Sequence, residues 1–160
     1  MFGALPHVDS RAALSTVVIG IGNSFRRDDG VGPAVANRIA EHCLPGVRVA
    51  TATGEPAALL EVWSGATRAV VVDAAAGNES TPGRIRRWTA RDLDAAAVVS
   101  SHAMGLAQTC ALADALGRMP DDFVVFTVDT ADTGHGRGMT PAVAAAVTDV
   151  VDAVLAKLDQ

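Results

Sequence analysis

Val17-Val18-Ile19-Gly20-Ile21-Gly22-Asn23-Ser24-Phe25-Arg26-Arg27-Asp28-Asp29-Gly30-Val31-Gly32 decides how the chain reads. A β-branched apolar run ends in Gly-Ile-Gly-Asn, crosses a charged loop, and re-enters apolar sequence before Pro33. That pattern predicts a buried strand, a glycine-assisted turn and the start of a helix. In an open α/β sheet, ligands bind outside the carboxyl ends of the strands, so this loop is where chemistry belongs. It carries two adjacent carboxylates, Asp28 and Asp29.

Outward from this stretch, strand and helix patterns alternate. Pro33 suits a first helical turn, and a helix through Val35 and Ile39 is stopped at Leu44-Pro45-Gly46. Val47 to Thr51 reads as a second strand, and Gly54-Glu55-Pro56 opens a helix that closes at Ser64-Gly65. Val70-Val71-Val72 ends at Asp73, as expected of a strand covered on both faces. Gly83 to Thr89 alternates charged and apolar residues, which suits an edge strand. Asp92 to Val99 carries no decisive pattern. A helix from about Ala103 to Leu116 follows Ser100-Ser101-His102, then a strand from Phe123 to Val128. After the loop Gly134-His135-Gly136-Arg137-Gly138, Thr140-Pro141 caps a last helix whose stripe is Val143, Val147, Val150, Val151 and Val154. This order predicts an α/β sandwich with a mainly parallel sheet and helices on both faces. Right-handed crossovers then bring the loops after the first and third strands to one rim.

The 160 residues suit one domain over 16–160 after a short extension at 1–15. Hydrophobic residues make up 49% and charged residues 19%, the balance of a soluble globular chain. A net charge of −5 argues against a nucleic-acid partner. Arg84, Arg86, Arg87 and Arg91 form the basic cluster, read as a solvated edge with an acidic partner segment as the alternative. Cys43 and Cys110 are too few for a disulfide framework and read as buried small hydrophobes in a reducing cytoplasm. No signal peptide or membrane span is expected.

Several chemistries fail on spacing. Phe25 stands where a dinucleotide-binding loop needs its third glycine, and two aspartates would repel a pyrophosphate. No Gly-Lys-Ser/Thr follows to make a phosphate loop, and no serine sits in a Gly-x-Ser-x-Gly elbow. A cysteine–histidine pair would need the fold to bring Cys43 or Cys110 to a histidine. Asp29 could cap the first helix or serve a site, and Asp28 reads as its structural or solvated neighbour. Asp73, at the rim of a buried strand, needs a partner, a cation or a proton. His102 stands at the mouth of a helix, as a cap, a buried histidine or a ligand. Together Asp29, Asp73 and His102 would supply two oxygens and an imidazole, a set suited to nickel or zinc with positions left open. His7 and His42 read as surface residues, and His135 could line a site loop.

Four segments taken in order make the chain similar to a known family. They are Gly-Ile-Gly-Asn with Arg-Asp-Asp-Gly-Val-Gly, Val70 to Ala74, Ser-Ser-His-Ala-Met-Gly-Leu at Ser100 to Leu106, and Gly-Met-Thr-Pro-Ala-Val at Gly138 to Val143. From about Thr16 to Leu158 the sequence resembles the hydrogenase maturation proteases, endopeptidases that trim the C-terminal extension of the large subunit of nickel–iron hydrogenases. The resemblance implies a three-layer fold around a twisted sheet of about five strands. It implies that the family's metal-contacting and catalytic positions fall on Asp29, Asp73 and His102, with Gly22, Asn23, Glu55 and His135 as substrate-binding candidates. It also implies a cytoplasmic protease whose partner is a large-subunit precursor, with nickel presented by that substrate rather than permanently held. Many members carry an acid after the second strand where this chain has Thr51, with Glu55 a turn later. That departure motivates an alternative, a non-enzymatic checkpoint module that binds the loaded precursor without cutting it.

Overall fold

A computed structural model describes residues 15–77, 79–96 and 101–160, with the backbone alone for 94–96 and 101–104. The extension expected at the N-terminus falls, but for Ser15, outside these residues. Strand β1 (Thr16–Ile21) leads through a 3-10 turn (Arg27–Gly30) into helix α1 (Val31–Glu41). Then come β2 (Val47–Ala52), α2 (Pro56–Trp63), β3 (Arg68–Ala75) and β4 (Ile85–Trp88). Helices α3 (Ala90–Ala96) and α4 (Ser101–Ala115), strand β5 (Asp122–Asp129) and α5 (Pro141–Leu158) complete the order.

The five strands form one sheet in the order β2-β1-β3-β5-β4. β1 runs parallel to β2 and β3, and β3 runs parallel to β5. β4 joins β5 antiparallel at the edge, where its alternating charges put it. Successive strand residues point to opposite faces, and the sequence supplies valine or isoleucine to both. Val18, Val70, Val72 and Val124 meet Val31, Val35 and Ile39 of α1 and Val143, Val147, Val150 and Val154 of α5. Val17, Ile19, Val71 and Val125 meet Leu59, Leu60 and Trp63 of α2, Leu93 of α3, and Leu106 and Cys110 of α4. The fold is therefore the three-layer α/β sandwich expected, with Trp63 set edge-on to Phe123 at 5.2 Å.

Helix α3 covers 92–96 of the stretch without a decisive pattern, and 97–99 lie outside the described residues. Its signal is short: the Thr89 amide donates to Asp92 Oδ2 at 2.9 Å, and the Asp92 amide donates to Thr89 Oγ1 at 3.2 Å. This reciprocal pair satisfies two amides that a helix start otherwise leaves open. Two other expectations, for Cys43 and for Thr140, need revision. Cys43 is exposed rather than buried, because α1 has ended and residue 43 turns away in the left-handed region at φ 48°. Arg84 and Arg86 lie at the solvated edge, as expected, and both also reach Asp129 Oδ2, at 3.0 and 3.2 Å. Asp129 is buried at the end of β5 and requires those cations. Thr140 is the residue before α5, but its hydroxyl caps nothing there.

The first turn of α1 lies directly on the sheet. A Cβ at Gly20 would overlap the Gly32 carbonyl, and one at Gly32 would overlap the carbonyls of Ile21 and Val72. Glycine at both places lets helix and strand backbones touch, which fixes where the loop between them emerges. Gly32→Ala should therefore cost about 3 kcal/mol through forced backbone displacement. Thermal unfolding should show a melting temperature lower by roughly 6–12 °C. An unchanged melting temperature would contradict the close approach.

Candidate active site

A cleft of about 280 Å³ opens at the carboxyl ends of β1, β2 and β3. Ile21, Gly22, Arg26 and Asp29 come from β1 and the loop after it, Thr53, Gly54 and Leu59 follow β2, Asp73 belongs to β3, and Gly105 and Leu106 belong to α4. Two carboxylates from distant parts of the chain thus face one concavity, as the parallel topology requires.

Asp29 sits in the 3-10 turn, and its Oδ2 accepts a hydrogen bond from the Asn23 amide at 2.8 Å. It does not cap α1; Gly30 holds the cap position and no side chain bonds there. The Asn23 side chain makes its own turn, its Oδ1 accepting from the Phe25 amide at 2.9 Å. The carboxylate therefore closes the Gly22–Asn23 turn instead of a helix end. Gly22 adopts φ 143°, a backbone conformation that admits no ordinary side chain, and lines the cleft.

Asp28 is fully buried. Its Oδ2 accepts from the amides of Ala131 and Asp132 at 2.8 and 3.0 Å, and its Oδ1 accepts from the Thr140 amide at 2.6 Å. The Thr140 hydroxyl donates to the same carboxylate, 2.8 Å from Oδ2, which is why it is not capping α5. Burial pushes the Asp28 pKa up, but the amides of Asp132, Thr140 and Ala131 and the Thr140 hydroxyl outweigh burial and hold it below the ordinary value of 3.8.

Asp73 is 3% exposed, and its Oδ1 accepts from the Ala74 amide at 2.8 Å. His102 is the second residue of α4, three residues before Gly105 of the cleft wall. Its side chain lies outside the described residues. Among the described residues no group of three His, Cys, Asp or Glu side chains lies close enough to hold a metal ion. Glu55 caps α2, with Oε1 and Oε2 accepting from the amides of Ala57 and Ala58 at 3.2 and 3.0 Å. His135 is exposed and is not among the residues lining the cleft, and Thr51 is exposed on β2.

Neither cysteine lines the cleft. Burial pushes the Cys110 thiol up to about 12, which leaves almost no thiolate at neutral pH. Cys43 lies just beyond the far end of α1 from the cleft. Arg26, whose Nε donates to the Thr133 carbonyl at 3.2 Å, is a cleft residue that the sequence did not single out. Its position directly after the first strand's turn was the available signal.

A family model described as hydrogenase maturation protease matches residues 33–157, well over half of the chain. The chain belongs to the hydrogenase maturation protease family. Membership makes it an endopeptidase of hydrogenase maturation. The matched span contains Asp73 and His102 and begins just after Asp29. Among solved structures, the hydrogenase maturating endopeptidase HybD from E. coli is similar at 20% identity and TM-score 0.80, over 91% of this chain and 92% of that one. HybD from Thermococcus kodakarensis, a [NiFe] hydrogenase maturation protease, is 22% identical with a TM-score of 0.75, over 91% of this chain and 99% of that one. A hydrogenase 3 maturation protease is 26% identical with a TM-score of 0.64, over 88% of this chain and 89% of that one. No curated protein matches the chain. Among the described residues no helix is long and apolar enough to cross a membrane.

Asp28 gives the site loop a pH dependence whose sign is fixed. Because its folded pKa lies below its unfolded value, its stabilisation is complete above about pH 4 and is lost as pH falls through the folded pKa. Asp28→Asn should unfold about 2–3 kcal/mol more easily at neutral pH, the worth of charge-assisted hydrogen bonds. Urea unfolding at several pH values should show the gap to wild type closing below about pH 4. A gap that persists unchanged to pH 2 would assign the loss to something other than the Asp28 charge.

Proposed function

We propose that the chain is a nickel-gated endopeptidase that removes the C-terminal extension of a nickel–iron hydrogenase large-subunit precursor. The observation that carries this reading is the convergence of Asp29 and Asp73 on one cleft, with the first turns of α4, the helix of His102, along its wall. Two carboxylates and an imidazole suit a borderline divalent ion and leave coordination positions open for groups that the precursor itself brings. Nickel here is part of the substrate. A site that completes the coordination of a presented ion binds the loaded precursor better than the empty one, and that difference in affinity is the gate.

Within this reading each residue has a separate task. The Asn23 amide fixes the Asp29 carboxylate at the cleft wall, and the Ala74 amide orients Asp73 at the end of β3. The ion would polarise the scissile carbonyl or acidify a water. A carboxylate beside it would accept the proton that the attacking water loses and pass it to the leaving amine. Gly22 and Gly54 leave the cleft floor without side chains, so an extended peptide can approach the backbone there. Membership of an endopeptidase family favours cutting over a checkpoint module that only binds.

Intact-mass analysis of a cognate precursor tests the reading. A discrete C-terminal loss should appear with the nickel-loaded precursor and not with the nickel-free one. Asp73→Asn and His102→Ala should each slow that loss by about 100-fold or more, the scale of removing one preorganised charge-stabilising group. Circular dichroism should show both variants folded. Full activity in both would end the metal assignment, and equal cleavage of nickel-free precursor would end the gate.

A further inference from the structure

The loop beside the cleft holds a large apolar ring in water. Phe25 is 56% exposed, although its main chain is fixed at both ends. Its amide donates to Asn23 Oδ1 at 2.9 Å, and its carbonyl accepts from the Gly136 amide at 2.8 Å. The Arg27 amide in turn donates to the Gly136 carbonyl at 3.0 Å, so the two loops pair as a short parallel bridge between Arg26 and Gly136. The Arg137 guanidinium lies over the Phe25 ring, 4.6 Å from its centroid. Arg26, the next residue along, lines the cleft. Packing does not account for this ring, since it buries less than half of its surface.

An aromatic ring on a main chain held at both ends, with an arginine over its face, has the composition enriched at interface cores. Holding it in place before binding removes the entropic cost of ordering it afterwards. Stacking keeps the guanidinium's edge N–H groups available, and a carboxylate is their best acceptor. Neither Arg26 nor Arg137 is in an ion pair among the described residues, whereas Arg27 is paired with Asp132 at 3.5 Å. The corner therefore sets an exposed ring beside two arginines outside any ion pair among the described residues, with Asp29 on the cleft side of Arg26. The Arg137 guanidinium selects a carboxylate next to the apolar group that meets the ring, and the shared edge with the cleft selects the molecule whose peptide enters it.

We propose that Phe25 and Arg137 form the docking platform for the body of the precursor, seating an apolar side chain on the ring and a neighbouring carboxylate on the guanidinium. This rests on the reading of the cleft given above and names the contact that brings the substrate to it. Docking outside the cleft changes how often the peptide arrives without changing the chemistry once it is there.

Steady-state cleavage of nickel-loaded precursor tests the platform, alongside direct titration of precursor binding. Phe25→Ala should lower kcat/KM about tenfold through KM, with kcat within about twofold, as expected for one hot-spot residue. Phe25→Tyr should recover most of the loss, and Arg137→Glu should reproduce it. Melting temperatures should stay near that of wild type, since the ring is exposed. Values of kcat/KM within twofold of wild type for both Phe25→Ala and Arg137→Glu would overturn the proposal. So would a Phe25→Ala effect confined to self-association in light scattering, which would give the surface to a second copy of the chain. If wild type cleaves nothing, the reading of the cleft fails by itself. The titration then still decides the platform: it stands if Phe25→Ala binds precursor about tenfold more weakly and falls if binding is unchanged.

Discussion

One buried carboxylate holds the working end of this molecule together. Asp28 accepts from three amides and one hydroxyl, and all four donors come from the segment between β5 and α5. A carboxylate removed from water without such partners would take a proton or drag the loop open. With them it becomes a clasp between two loops more than a hundred residues apart in the chain. Asp29 is its neighbour, so the clasp also limits where the second carboxylate can go. The main-chain bridge between Arg26 and Gly136 continues the same seam toward solvent.

The clasp works because the sheet has already placed its two halves side by side. β1, β3 and β5 are consecutive parallel neighbours, so the loops that leave their carboxyl ends share one rim. The glycine contact between α1 and β1 sets how steeply the first of these loops must turn. Gly32 touches the Val72 carbonyl as well, immediately before Asp73. The same close approach therefore bears on both carboxylates of the cleft. Backbone packing and site geometry are one constraint here.

Much of this was legible in the sequence, and for identifiable reasons. Strand β3 was readable because Val70-Val71-Val72 is a continuous apolar run, and its polar end marked Asp73 as a rim residue. The last helix was readable because five valines repeat at helical spacing. Asp28 and Asp29, by contrast, are adjacent and chemically identical, and no local pattern separates the clasp from the cleft residue. Only their partners distinguish them, and those partners are set by topology: Ala131, Asp132 and Thr140 for one, Asn23 for the other. Thr140 illustrates the same limit. Thr-Pro predicts a helix cap, yet its hydroxyl is taken by a distant carboxylate stronger as an acceptor than anything nearby. Cys43 failed for a different reason, since residue type predicts burial on average while position after a helix end decides it here.

Helix α5 shows how the two ends of the sheet are made to act together. At its start, Thr140 is bound to Asp28 on the rim that carries the cleft. At its end, Lys157 reaches Asp122 at 2.9 Å, and Arg68 pairs with the same carboxylate at 3.1 Å. Arg68 also donates to the carbonyls of Lys157 and Leu158 at 3.4 and 3.2 Å, satisfying acceptors that a helix terminus leaves open. The strands β3 and β5 begin at Arg68 and Asp122, so this staple closes the amino end of the sheet. Eighteen helical residues, about 27 Å of rigid rod, separate staple from clasp. Between them the helix buries Val143, Val147, Val150 and Val154 against the central strands. A loop tied at one end of such a rod cannot drift without tilting the helix and opening the core beneath it. The loops around the cleft therefore inherit their rigidity from the core and the far end of the sheet, although they lie at the surface.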